Sequence, residues 1–299
     1  MKIFLAGATG VIGRRLIPLL IASGYEVIGT TRQSSKAAML KNLGATPCVV
    51  DVFDHDGLAA VMREAQPDIV IHQLTDLSER DFLANDFSAT ARIREVGTRN
   101  LVDAARAVGV RHIIAQSIAA WVYSPGSGPA DESVPLDSEA PLPTRDIVKG
   151  VQALERAVAE IERWVVLRYG SLYGPGTAYA PDGLIADLVR RGQVPADEGI
   201  TSFLHVDDAA RAALLALEWP QGVVNVVDDE PAKGTVWLPV YAATLGAPVP
   251  PVATGQVRAT RGASNTKARQ VLHWSPTYPS WREGFAQVEK IWLSGGSLR

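Results

Sequence analysis

Lys2-Ile3-Phe4-Leu5-Ala6-Gly7-Ala8-Thr9-Gly10-Val11-Ile12-Gly13-Arg14-Arg15-Leu16-Ile17-Pro18-Leu19-Leu20 decides the fold. Lys2 to Ala6 reads as a short buried strand, Gly7 to Gly13 as a glycine-rich turn, and Arg14 to Leu20 as a helix. Gly7 permits a tight turn out of the strand, Gly10 lets a diphosphate approach the backbone, and Gly13 allows the helix to pack closely on the sheet. The helix N-terminus presents amide groups and a partial positive charge to an anion. A Gly-x-x-Gly-x-x-Gly string alone only turns the chain. Here a strand precedes it, a helix follows, and a second strand starts near Tyr25, which is the context a dinucleotide-binding turn requires.

Outward from this turn, Glu26-Val27-Ile28-Gly29-Thr30-Thr31-Arg32 forms the second strand and ends in a base. Where an acidic residue here would hold the ribose hydroxyls of NAD, an Arg accommodates the 2′-phosphate of NADP. Arg32, followed by Ser34, Ser35 and Lys36, therefore favours NADP(H), with NAD(H) as the alternative and a solvated surface charge as the plain reading. Ala45 to Val50 is a third strand, with Asp51 and Val52 at its end suited to an adenine; a capping role for Asp51 competes with this. Asp56 to Ala65 is helical and Pro67 to His72 is a fourth strand. His72 reads as a hydrogen-bonded core residue before it reads as a catalyst. Ala84 to Val108 has a helical period, and Arg111 to Gln116 is a fifth strand that leads to Ser117. Ile147 to Ile161 is an amphipathic helix and Trp164 to Tyr169 a sixth strand.

Strand and helix alternating in this rhythm predict an α/β fold, a doubly wound parallel sheet whose ligand lies beyond the carboxyl ends of its strands. Gly7, Arg32, Asp51, Gln73 to Thr75 and Ser117 fall at such ends. Ser124 to Pro143 is a long loop suited to a lid or a substrate contact. Beyond Gly170 the alternation breaks, with short helices expected near Leu184–Arg190, Val206–Leu217 and Ser264–Leu272, and a strand at Gly222–Val227 returning to the main sheet. Asp207 or Asp208 reads as a helix N-cap. The run Asp228-Asp229-Glu230 reads as a turn cap rather than a metal site.

The chain has 299 residues, 47% hydrophobic and 20% charged, with a net charge of −3. These are globular values that give no footprint for nucleic acid. Cys48 is the single cysteine, which rules out an intrachain disulfide and a cysteine-based metal site. No apolar run is long enough to span a membrane, and the chain enters its first strand at once, so a cytoplasmic protein without a membrane partner is expected.

Gly7 to Gly13, Asp51-Val52, Gly97-Thr98-Arg99-Asn100-Leu101, Leu167 to Gly176 and Phe203-Leu204-His205-Val206-Asp207-Asp208-Ala209-Ala210 together resemble the extended short-chain dehydrogenase/reductases, the NAD(P)-dependent epimerase/dehydratase family, over essentially the whole chain. The resemblance implies a Rossmann domain over 1–170, joined by strand 222–228, and a small C-terminal α/β substrate-binding domain over 171–299. It also implies a homodimer through two long helices. The expected cofactor contacts are Gly7, Thr9, Gly10, Val11, Ile12, Gly13, Arg32, Asp51, Val52 and Leu74.

The family's usual chemistry uses a Tyr with a Lys four residues later and a Ser or Thr on the substrate oxygen. No tyrosine of this chain has Lys at that spacing. Aligned on Ala153-Leu154-Glu155-Arg156-Ala157-Val158, the two positions hold Ile147 and Val151; aligned on Lys149, Arg145 stands where the Tyr belongs. Ser117 keeps a hydroxyl at the strand end, although counting back from Tyr123 puts Ala119 in that slot. Ser117, Tyr123, Lys149 and Tyr173 are the candidates for a substitute catalytic set, each with a plain structural reading beside it. Trp237, Trp274, Trp281 and Trp292 are available to line a pocket and equally to fill a core. The chain is thus similar to the atypical family members. The leading expectation is an NADP(H)-dependent oxidoreductase with a non-standard proton donor, acting on a small carbonyl, alcohol or sugar-like substrate. A catalytically silent cofactor-binding sensor or scaffold, and an epimerase or dehydratase, are the rivals.

Overall fold

The computed structural model describes residues 1–77, 83–84, 86–119, 121–254 and 261–286. Trp292 and Ala120 lie outside the described residues. By internal contacts the chain forms two units: one of Met1–Ile118, Leu136–Arg168 and Ala210–Val224, the other of Ala119–Pro135, Tyr169–Ala209 and Asn225–Arg299.

The first unit is built on β1 (Lys2–Ala6), β2 (Glu26–Thr31), β3 (Thr46–Val49), β4 (Ile69–His72), β5 (His112–Ile118) and β6 (Arg163–Tyr169). Later come β7 (Ser171–Tyr173), β8 (Ile200–Thr201), β9 (Phe203–His205), β10 (Gly222–Val226) and β11 (Ala232–Lys233). The main sheet runs in the order β10-β6-β5-β4-β1-β2-β3. Pairs β1–β2, β1–β4, β2–β3 and β4–β5 are parallel. This is the doubly wound order, with the expected strand at Gly222 joining at the β6 edge. Ile3, Phe4, Leu5, Val70, Ile71, Ile113 and Ile114 are all but inaccessible, as buried parallel strands demand.

Helix α1 (Gly13–Ala22) follows the first turn, and α2 (Ala37–Asn42) and α3 (His55–Ala65) lead to β3 and β4. Asp54 caps α3 by accepting the Gly57 N–H at 3.0 Å. The long helical stretch read from Ala84 onward is two α-helical pieces, α4 (Ser88–Arg92) and α5 (Thr98–Ala107), joined by one π-helical turn over Ile93–Gly97. The extra residue in such a turn rotates the side chains that follow it. Helix α6 (Thr144–Val158) packs beside this segment: a Cβ on Gly150 would meet the Ala91 Cα at 3.2 Å.

The second unit holds helices α7 (Leu184–Arg190) and α9 (Gly234–Thr244) and the first turn of α8 (Val206–Leu215), with a core of aromatic rings in which Phe203 lies against Tyr179, Trp237 and Phe285. Helix α9 escapes the sequence reading because its residues are apolar on every side and Pro239 interrupts them, so no amphipathic period marks it. The helix expected at Ser264–Leu272 is a single π-helical turn, Lys267–Val271. Trp237, Trp274 and Trp281 are buried, so they fill core. The Ser124–Pro143 loop is pinned rather than free: Ala130 N–H donates to the Gly262 carbonyl, and Ser264 N–H donates to the Ala130 carbonyl. The carboxylate of Asp208, expected to cap its helix, accepts N–H groups of Thr277 and Tyr278 at 2.8 and 2.9 Å.

Asp228, two residues beyond β10, is buried, and its oxygens accept the N–H groups of Glu230 and Trp281. Burial nonetheless pushes its carboxyl up to about 8. The folded chain then holds a proton that the unfolded chain releases near pH 4, so the stabilisation is complete below that value and falls as pH rises toward 8. Between pH 5 and pH 8 the wild type is expected to lose more unfolding free energy than Asp228→Asn, read by urea denaturation; parallel losses would show that Asp228 is ionised throughout.

Candidate functional site

The loops after β1 and β4 abut. Gly7 has φ +87°, and a Cβ on it would lie 2.5 Å from the Gln73 carbonyl oxygen. Gly13 is held as tightly, with a Cβ placed 2.4 Å from the Gly7 oxygen. The turn is closed by Gly10 N–H donating to the Gly7 carbonyl at 3.0 Å, and α1 begins without a side-chain cap from Ile12. Such an uncapped helix start, reached through residues without side chains, suits an anion.

In front of the turn lies a cavity of about 230 Å³. Gly7, Thr9 and Gly10 form one wall, Thr30 to Arg32 with Lys36 a second, Val50 to Phe53 a third, and Gln73 to Thr75 the fourth. Of the expected cofactor contacts, Gly7, Thr9, Gly10, Arg32, Asp51, Val52 and Leu74 line it, while Val11, Ile12 and Gly13 stand behind in the turn and helix start. Arg32 is half exposed, with Nη2 3.3 Å from Asp76 Oδ2. Asp51 Oδ1 accepts the Phe53 N–H at 2.9 Å, which fixes its carboxylate at the cavity edge.

Gln73 is 5% exposed, and neither amide atom of its side chain has a hydrogen-bond partner among the described residues. A buried amide left unpaired costs about 1–3 kcal/mol, which a bound ligand removes. The glycine cradle, the uncapped helix start and this orphaned amide fit a dinucleotide.

His72 is buried and neutral, its imidazole pushed down to about 4 by burial and by the charge of Arg94. Its Nδ1 accepts the Leu74 N–H at 3.2 Å, which assigns the ring proton to Nε2, 2.9 Å from Thr98 Oγ1. The Thr98 hydroxyl in turn donates to the Ile93 carbonyl at 3.3 Å. His72 is thus a clamp that fastens the β4 loop to the π turn, in line with its core reading.

At the carboxyl ends of β5 and β6, the buried Arg168 grips the largely covered Glu155 with two hydrogen bonds of 2.8 Å. Ser117, 2% exposed, directs its hydroxyl at Glu155 Oε1, 3.4 Å away. Of the residues that the alignment through Ala153–Val158 sets at the Tyr and Lys positions, Ile147 is 3% exposed and Val151 fully buried. Under the other alignment, Arg145 Nε donates to the Ala140 carbonyl, and Lys149 is 62% exposed with Nζ 3.7 Å from Asp146.

In the second unit the Tyr123 hydroxyl donates to Asn225 Oδ1, and Asn225 Nδ2 donates to the carbonyls of Ala130 and Ser264, both at 3.1 Å. Tyr123 anchors its loop. Tyr173 is wholly buried with its ring on His205 and Phe285, and burial, aided by Asp228 and Asp208, drives its phenol pKa upward. Such a phenol is a poor acid at neutral pH. Among the described residues no cluster suits a metal and no helix is long and apolar enough to cross a membrane.

Sequence reasoning noted Gln73 only as part of a strand end and gave no role to Glu155, Arg168 or Arg94, the last marked by a charge on the buried stripe of Thr90, Thr98, Leu101 and Ala105.

Residues 3–227 match the model of the NAD dependent epimerase/dehydratase family. A 3-diazoavenalumate denitrifying reductase from a Streptomyces species is 44% identical, over 96% of this chain and all of that protein. UDP-glucose 4-epimerase of Mycolicibacterium smegmatis is 27% identical over 96% of this chain and 97% of its own. Among solved structures, the UDP-glucose 4-epimerase of Thermus thermophilus in complex with NAD is 25% identical, with a TM-score of 0.77 over 99% of this chain and all of that one. Its cofactor turn, its strand order and these matches agree, and the chain belongs to the NAD-dependent epimerase/dehydratase family as an oxidoreductase-type enzyme on a Rossmann fold.

Proposed function

We propose that the chain is an NADPH-dependent reductase that replaces the diazo group of an aromatic acid by hydrogen and releases N2. What supports this reading is the 44% identity to a denitrifying reductase of a diazo acid, together with the buried apolar Ile147 and Val151, which the alignment through Ala153–Val158 sets at the Tyr and Lys positions. When bound, a reduced nicotinamide supplies one hydride. The acceptor decides what else the protein must provide. A carbonyl that takes up a hydride becomes an alkoxide and needs a proton donor. An aryl diazonium ion that takes up a hydride ends as a neutral arene and N2: the C–N bond breaks, a C–H bond forms, and atoms and charge balance without a proton. Alkyl diazonium ions lose nitrogen unaided, so a substrate that waits for an enzyme carries the group on an aromatic ring.

The protein's share is then binding, orientation and exclusion of water. The turn of Gly7, Thr9, Gly10, Val11, Ile12 and Gly13 holds the diphosphate, Asp51 and Val52 meet the adenosine, and Gln73 with Leu74 meets the nicotinamide half. Arg32 and Lys36, both on the cavity wall, favour a 2′-phosphate and hence NADP(H) over NAD(H). Ser117, steadied by Glu155, orients the acceptor. Tyr123, Lys149 and Tyr173, engaged or buried as they are, take no part.

With NADPH and 4-carboxybenzenediazonium, the protein is expected to consume NADPH and release N2 one for one, measured by absorbance and mass spectrometry, while aldehydes, ketones and UDP-glucose leave NADPH intact. Gly13→Val, whose Cβ would sit 2.4 Å from the Gly7 oxygen, supplies the uncatalysed rate. Turnover of a ketone alone would make the chain a carbonyl reductase, and binding of NADPH without any turnover a silent cofactor binder. Arg32→Ala is expected to weaken NADPH at least about tenfold, about 1.4 kcal/mol, and NADH little, by fluorescence titration; equal losses would remove the preference.

A further inference from the structure

Arg94 sits in the π turn between α4 and α5 and is 6% exposed. Its guanidinium makes no hydrogen bond or ion pair with any described residue. Burial pulls it down to about 10, so it remains charged at neutral pH, and Glu155 is the carboxylate that supports it. That carboxylate is already committed: Arg168 occupies both of its oxygens and the Ser117 hydroxyl faces one of them. His72, which feels the charge of Arg94, is neutral. Among the described residues, two guanidinium groups thus share one carboxylate, which leaves one positive charge without a paired carboxylate.

An arginine presents five N–H donors in a planar fork, and burying it without acceptors is costly. The π turn that puts it there is itself fastened through Thr98 to His72 and so to the β4 loop. Its neighbour Ile93 lines the cofactor cavity, as does Gln73 next to His72. The cluster lies at the carboxyl ends of β4, β5 and β6, on the side of the strand-order reversal away from Arg32 and Asp51, where the reacting half of a dinucleotide falls.

We infer that Arg94 is the substrate's anion receptor, its guanidinium taking the carboxylate of an aromatic acid at the nicotinamide end of the crevice. The inference deepens the proposed reading, on which it rests for the nature of the acid. The planar fork favours a carboxylate, which it meets with two parallel hydrogen bonds. Selection for acids over neutral aromatics follows, because an uncharged ligand leaves the guanidinium unpaired.

The test uses unreactive probes, so that it is independent of diazo chemistry. Cinnamate and methyl cinnamate are titrated calorimetrically into the NADP+-loaded protein. The wild type is expected to bind the acid at least about tenfold tighter than the ester, Arg94→Gln to lose that preference, and Arg94→Lys to retain part of it, with NADPH affinity unchanged in both variants. Equal binding of acid and ester by the wild type, or an intact preference in Arg94→Gln, would overturn the assignment. Failure of the gas-release assay would remove the diazo reading and leave this titration untouched.

Discussion

The contact on which the first unit depends is the backbone abutment of two strand ends. Gly7 leaves β1 with a positive φ and passes so close to the Gln73 carbonyl that no side chain fits between. Because β1 and β4 are neighbours in the sheet and the strand order reverses between them, this is where a crevice must open. The glycines let the crevice be shallow at the diphosphate and keep the helix start within reach of an anion. Fixing Gly7 also fixes Gln73, and with it the unpaired amide that only a ligand completes.

The electrostatics divide along the same line. On the β2 side the charges are exposed: Arg32 and Lys36 stand in solvent, where attraction is screened and specificity depends on a phosphate arriving. On the β5 and β6 side they are buried, and the Glu155–Arg168 pair is a structural investment that, once one partner is removed, costs about 3–5 kcal/mol. Arg94 adds a charge that this pair does not neutralise. The face of α6 that holds Ile147 and Val151 is apolar, so the charges on this side come from Glu155, Arg168 and Arg94.

Alternation of strands and helices, the glycine turn and the strand-end residues were legible because each rests on local pattern: period two, period 3.6, and the need for absent side chains. Arg32, Asp51 and Leu74, which line the cavity, were named from their place at strand ends alone. Arg94 was not, because a lone charge on a helical stripe that also holds two threonines reads as a surface residue. Gln73 was noted only as part of a strand end, since an unmade hydrogen bond has no signature in sequence. Helix α9 was missed for a different reason, being apolar on all sides. Tyr123 stood among the catalytic candidates, and its partner Asn225 lies 102 residues away, where no spacing rule connects them.

That distance has a kinetic meaning. The Asn225 side chain binds Tyr123, Ala130 and Ser264, and its backbone N–H donates to Glu132, so a single residue gathers strands of chain that synthesis produces far apart. None of these bonds can form until long loops have closed, and closure entropy must be overcome before any of them contributes. Asn225, itself on the sheet strand β10, is thus the residue at which these long loops are closed together.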